Sequence, residues 1–137
     1  MPGETNLKRL LATMQPSLRE GEYVFCSMPQ PASESCTLDP IGLFKEDEGL
    51  TLILLRSQAE AANLPYSAVF AMITLTVHSS LEAVGFLAAI ATQLASHGIS
   101  VNPVSAFYHD HVFVPVAQAE AAMALLQELA QAHSDIG

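Results

Sequence analysis

From Ala68 to Val77 every second residue is apolar: Val69, Ala71, Ile73, Leu75 and Val77. A period of two places these side chains on one face of an extended chain, so the segment is predicted to be a strand with one side against a core. The other face runs Phe70, Met72, Thr74 and Thr76 and turns polar, leaving its far end to solvent or a ligand. Pro65 separates this strand from what precedes it.

The pattern then changes period. Ser79 and Glu82 match a capping box and predict a helix that ends at Gly98, with Leu81, Val84, Leu87, Ala88, Ala91 and Leu94 as its core stripe. Ile99–Phe107 reads as a strand, Tyr108–Asp110 as a turn and His111–Val116 as the returning strand. A last helix from Ala117 to about Ala132 puts Ala122, Leu125, Leu126, Leu129 and Ala130 on one face. Strand, helix, strand, strand, helix is a ferredoxin-like α+β run without its final strand. A right-handed crossover makes Val69–Val77 central and Ile99–Phe107 an edge strand, where Pro103 is tolerated.

The first half supplies loose strands, one of which completes this sheet; the sequence does not say which. Leu7, Leu10, Leu11 and Met14 recur at helical spacing behind a Thr5 or Asn6 cap, and Pro16 stops that helix. Glu22–Met28 is a predicted strand and the Pro- and Ser-rich Pro29–Pro40 a loop. Ile41–Phe44 and Leu50–Leu54 form a hairpin around a charged turn, with Gly49 suited to a left-handed position. Ser57 and Glu60 suggest a capping box for a short helix through Ala62.

Composition limits the partners. Half of the 137 residues are apolar and 14% are charged, ample for a core and too apolar for disorder. A mean hydropathy of +0.33 suggests apolar surface buried between modules or subunits. The net charge of −9 offers no basic patch, which argues against nucleic acid and anionic membranes as partners. Leu81–Ala95 is too short to cross a bilayer, and Met1–Glu20 has no long apolar run behind basic residues, so neither span nor leader is expected. Cys26 and Cys36 form no Cys-x-x-Cys motif and read as free thiols in a reducing cytoplasm.

The residues Ile73–Val77, His78-Ser79-Ser80, Val84-Gly85-Phe86, His97-Gly98-Ile99-Ser100-Val101 and Tyr108-His109-Asp110-His111 leading into Val112-Phe113-Val114 carry a resemblance. The segment Ile73–Val116 resembles the ACT regulatory domain, notably the version found in tandem in aspartate kinases. With Glu22–Cys26 and Glu48–Ile53 added, nearly the whole chain is similar to a family of short stand-alone bacterial ACT proteins. The resemblance implies two ACT-like modules with helices on one face of antiparallel sheets, a degenerate one over 1–66 and a second over 67–137. It further implies sensing of amino acids or similar metabolites without catalysis or cofactor, and modules that pair side by side through edge strands and neighbouring helices.

On that resemblance the loop after the first strand is the candidate ligand site: His78, Ser79, Ser80, Leu81, Glu82, Val84 and Gly85. Free N–H groups at a helix start favour a carboxylate there, although Glu82 in the first turn would repel one. The plainer reading is that Ser79 and Glu82 only cap the helix and Gly85 only packs. Ser100, Val101 and Asn102 on the edge strand offer further polar groups; Asn102 equally suits a turn beside Pro103. Gly85, Ala89, Thr92 and Ser96 form a small-residue stripe read as an inter-module or homodimer contact. His109 and His111, with His78 or His97, raise a metal site, against which Asp110 reads as turn chemistry; no metal is expected. The acid cluster Glu46-Asp47-Glu48 lacks calcium-loop spacing. No phosphate loop, Gly-x-Ser-x-Gly elbow or Cys/His pair points to catalysis. The expectation is thus a small-molecule-binding regulatory protein, its alternative a self-association or protein-interaction module that binds no ligand.

Overall fold

The computed structural model describes residues 3, 5–29, 38–77 and 79–134; Cys36 and His78, both singled out in the sequence, lie outside them. By contacts the chain divides into Met1–Arg19 with Ala71–Gly137, and Glu20–Phe70. By these contacts the first 19 residues group with the second half.

The discontinuous unit starts with α1 (Leu7–Thr13), capped by Asn6, whose Oδ1 accepts from the Arg9 N–H at 3.0 Å. β1 (Gln15–Leu18) follows at once, and the chain re-enters through β5 (Phe70–Thr76) at Ala71. Then come α3 (Phe86–Ala95), β6 (Asn102–Ser105), β7 (Asp110–Pro115), a 3-10 turn (Val116–Gln118) and α4 (Ala119–Ser134). The strand order β1-β5-β7-β6 is ferredoxin-like, with β5 central and β6 at an edge as the crossover rule required. The missing strand is β1, antiparallel to β5 with Leu18 opposite Ile73 and Gln15 opposite Thr76. Pro16 does end a helical pattern, but it sits inside a short edge strand, where a missing donor costs nothing.

Alternation on β5 and β7 sends Ala71, Ile73, Leu75, Val112 and Val114 to the helical side. There they meet Leu10 and Leu11 of α1 with Met14 at its end, Phe86, Ile90 and Leu94 of α3, and Ala122 and Leu126 of α4, all buried. The stripe predicted for α3 is borne out at Leu94, which is buried, and at Leu87, which packs on the core, but not at its start. Leu81 and Val84 are 67% and 83% exposed, and Phe86 and Ile90 bury in their place, because the helix begins seven residues later than the apparent cap at Ser79.

The inserted unit, Glu20–Phe70, contains β2 (Tyr23–Met28), β3 (Gly42–Lys45), β4 (Leu50–Leu55) and α2 (Arg56–Ala61). Its strands run β3-β4-β2, with a single pair Tyr23–Phe70 beyond β2. Val24, Cys26, Met28, Leu50, Leu52, Leu54 and Ala59 make its core. Burial pushes the Cys26 thiol pKa up, as expected for an inert core cysteine. Two local expectations fail. Ser57 caps nothing, since α2 opens one residue earlier behind Leu55 without a side-chain cap. Gly49 has a nearly extended φ of 159° rather than a left-handed one; a Cβ there would stand 2.7 Å from the Met28 carbonyl oxygen, so close approach selects glycine.

Candidate functional site

β5 ends at Thr76 and α3 begins only at Phe86, so residues 79–85 are not helical where the sequence suggested helix. Ser80 turns it: its Oγ accepts from the Glu82 N–H at 3.0 Å and its carbonyl from the Ala83 N–H at 3.0 Å. Gly85 then enters the helix at φ 92°, ψ −10°, a left-handed conformation that costs side-chain-bearing residues roughly 1–2 kcal/mol. Gly85, as the cap, has no side chain with which to satisfy the first turn of α3. The first i→i−4 bond runs from the Ala89 N–H to the Gly85 carbonyl, so the N–H groups of Phe86, Leu87 and Ala88 have no acceptor within the helix.

Those three residues line a cleft of about 210 Å³, together with Ser79, Ser80, Leu81, Ala83, Gly85, Ser105 and Asp110. Ser105 and Asp110 are opposite each other across the β6–β7 hairpin. Asp110 is in phase with Val112 and Val114, so it points to the helical side at the open end of the core. It is 6% exposed, and its Oδ2 accepts from the Ser79 hydroxyl at 3.0 Å. A buried carboxylate thus sits in the same cleft as an uncapped helix N-terminus, whose dipole carries partial positive charge. The two ends of the cleft favour opposite charges.

Of the residues singled out in the sequence, Ser79, Ser80, Leu81 and Gly85 line this cleft. Glu82 and Val84 do not: Glu82 is exposed in the loop and not in a helical turn, which removes its objection to an incoming carboxylate. Ser100 is exposed, Val101 packs against the core, and the Asn102 Nδ2 donates across the hairpin to the Phe113 carbonyl at 3.5 Å; none lines the cleft. Within the small stripe, Ala89 packs on its own unit's core while Thr92 and Ser96 are exposed. Asp110, Ser105, Ala83, Phe86, Leu87 and Ala88 line the cleft without being among the residues the sequence nominates for ligand binding. The alternation Asp110-Val112-Val114 is the signal that would have found the first.

The histidines beside Asp110 take separate partners. The His109 Nδ1 donates to the Val77 carbonyl at 3.3 Å, and the His111 Nδ1 lies 3.0 Å from Thr74 Oγ1. His111 has a lowered pKa, chiefly from burial and then from His109, with Asp110 opposing and Arg19 adding to the depression. Among the described residues no group of three or more His, Cys, Asp or Glu is arranged to hold a metal ion.

The inserted unit has a more open cleft of about 500 Å³ lined by Gly21, Glu22, Leu55, Arg56, Ser57 and Glu60. Its cation is already matched. Arg56 meets Glu22 at 2.9 Å, Glu60 at 3.3 Å and the Tyr66 hydroxyl at 2.9 Å, contacts that hold its pKa above the ordinary value. Tyr66 donates to Glu60 at 2.7 Å, and this bond, then Arg56, lowers the Glu60 pKa.

The discontinuous unit is a ferredoxin-like α+β module with a small cleft between the loop before α3 and the β6–β7 hairpin. Residues 2–71 match the profile of the ACT domain and residues 68–128 match a second ACT-domain profile, so this chain belongs to the ACT-domain family, with two such domains in tandem. ACT domains are typically regulatory ligand-binding modules and generally non-catalytic. A Vibrio cholerae protein of unknown function, described as a possible transport protein, is 50% identical, with a TM-score of 0.84 over 91% of this chain and 96% of that one. An Agrobacterium tumefaciens protein has a TM-score of 0.71 at 16% identity, over 85% and 89% of the two chains. The ligand-free regulatory subunit of Thermus thermophilus aspartate kinase reaches 0.60 at 12% identity, over 87% and 98%, which is a likeness of fold. No curated protein matches the sequence. Among the described residues no helix is long and apolar enough to cross a membrane.

Proposed function

We propose that this chain is a non-catalytic sensor that binds a free amino acid in the cleft beside Asp110 and acts as a homodimer in a reducing cytoplasm. The observation that carries the reading is the pairing, in one cleft, of the uncapped α3 N-terminus with the buried Asp110 carboxylate. An α-amino acid presents both complements: its carboxylate suits the free N–H groups and its ammonium the aspartate. At about 210 Å³ the cleft is smaller than drug-sized pockets and fits a compact metabolite. The fold shared with aspartate kinase regulatory subunits is in keeping with a regulatory role.

Thermal melts against the twenty amino acids test this. A ligand at 100 times its dissociation constant adds about 2.7 kcal/mol of stability. One amino acid, or a small set, raises the melting temperature, and N-acetylation or amidation of that ligand removes the effect. A flat panel sinks the reading.

The interaction-module alternative has one observation in its favour: Leu81, Val84, Phe107 and Tyr108 are between 64% and 83% exposed. Large apolar side chains held in water at that level suit a protein contact. A flat panel with a specific protein complex would support it.

A further inference from the structure

Two residues of the discontinuous unit, Gly3 and Leu7, meet the two ends of the loop that walls the cleft. A Cβ on Gly3 would stand 2.5 Å from the Ser79 carbonyl carbon, 2.5 Å from the Ser80 nitrogen and 2.7 Å from the Ser79 oxygen. Gly3 therefore lies directly against the Ser79–Ser80 peptide, an approach that only a residue without a side chain can make. What it meets is backbone, which cannot rotate aside as the end of a long side chain can. At the other end of the loop, a Cβ on Gly85 would meet Leu7 Cδ2 at 3.3 Å, so the Leu7 side chain rests against Gly85. Leu7 shares a face of α1 with Leu10 and Leu11, three and four residues on, and both are buried in the core. The loop is thus placed relative to a helix that the core holds fixed.

We infer that Gly3 and Leu7 are positioning residues for the cleft, and that ligand affinity depends on Gly3 being seated on the Ser79–Ser80 peptide. Neither residue lines the cleft; each acts through one that does. Gly3 bears on Ser79, whose hydroxyl holds Asp110 Oδ2 at 3.0 Å. Leu7 bears on Gly85, which opens α3 and so aims the N–H groups of Phe86, Leu87 and Ala88. The two poles of the cleft are braced by residues four apart in sequence. Between the braces the loop carries Leu81 and Val84, 67% and 83% exposed, so little packing holds its middle. A segment with few buried apolar contacts opens locally at low cost, and loss of a brace loosens it without unfolding the core. Seating and binding are linked: a ligand that favours the ordered loop favours a seated Gly3 by the same factor. The affinity half of the inference rests on the amino-acid reading above; the bracing is a property of the chain without ligand.

Amide hydrogen exchange on the full chain without ligand tests the bracing. The reporters are the hydrogen-bonded N–H groups of Ser79, Glu82 and Ala83. Gly3→Ala forces the backbone contact apart and should quicken their exchange at least about tenfold, with Val114 of β7 and Leu126 of α4 unchanged. Leu7→Ala removes the second brace and should quicken the Ala89 N–H, which bonds the Gly85 carbonyl. Leu7→Met, long enough to reach Gly85, should restore it. Unchanged loop exchange in Gly3→Ala overturns the inference. An equal rise at Val114 and Leu126 does so too, since it marks general destabilisation. Titration of wild type and Gly3→Ala with the twenty amino acids reads the affinity half. A weakening of at least about tenfold for an amino acid that the wild type binds supports it, and equal affinities overturn it. A quickened loop with a panel flat for the wild type supports the bracing and sinks the sensor reading alone.

Discussion

Ser79 and Asp110, separated by 31 positions in sequence, are joined by a 3.0 Å hydrogen bond in which the serine hydroxyl donates to Oδ2, and both residues are buried. The bond ties the loop that leads to α3 to the hairpin across the cleft. It also orients the carboxylate on which the proposed ammonium site depends.

Ser79→Ala leaves that buried carboxylate without its hydroxyl partner. A loss of about 1–3 kcal/mol is expected in urea unfolding, the range for orphaning a buried acceptor. Asp110→Asn, which keeps the shape, should cost less stability than Ser79→Ala but lose amino-acid binding.

Substitutions on α3 separate its true buried face from the apparent one. Ile90→Ala opens a cavity in a fully buried position and should cost about 2–5 kcal/mol. Val84→Ala, at a site 83% exposed, should change stability by no more than about 0.5 kcal/mol. Equal losses would contradict the placement of the helix start.

Gly85→Ala forces a side chain into φ 92°, with its Cβ 3.3 Å from Leu7 Cδ2. The expected cost is roughly 1–2 kcal/mol in the same unfolding assay, with a shifted entry to α3 and weakened ligand binding.

Acid should destabilise the fold through His111. Its folded pKa lies below the ordinary 6.5, so the unfolded chain takes up the proton first. The contribution of the neutral imidazole is present above pH 6.5 and is lost as pH falls through the folded pKa. His111→Gln, which can still bond Thr74, should flatten the decline in unfolding free energy in this window relative to wild type. Parallel pH profiles for the two proteins would exclude the effect.

Much of the fold is written in local pattern. The alternation at Ala71-Ile73-Leu75, the hairpins around Glu46–Gly49 and Ala106–His109, the Asn6 cap and the apolar face of α4 all follow from side-chain periodicity and turn chemistry. β1 does not: Gln15-Pro16-Ser17-Leu18 has little strand propensity and forms because β5 offers it an edge after an intervening unit. The site was half legible. Ser79 and Glu82 imitate a capping box, and only the tertiary bond from Ser79 to Asp110 and the left-handed Gly85 move the helix start to Phe86. Asp110 reads as turn chemistry because an aspartate beside a predicted turn is ordinary there; in the fold it is the first residue of β7, opposite Ser105 of β6, and is buried.

The most direct measurement is a titration of the isotopically labelled protein with the amino-acid panel, followed by backbone amide chemical shifts. An amino acid in the cleft moves the amides of Ser79, Phe86, Leu87, Ala88, Ser105 and Asp110 together along one saturating curve, and Asp110→Asn abolishes the response. Amides that stay still for every member of the panel, or shifts confined to residues away from these six, would contradict it.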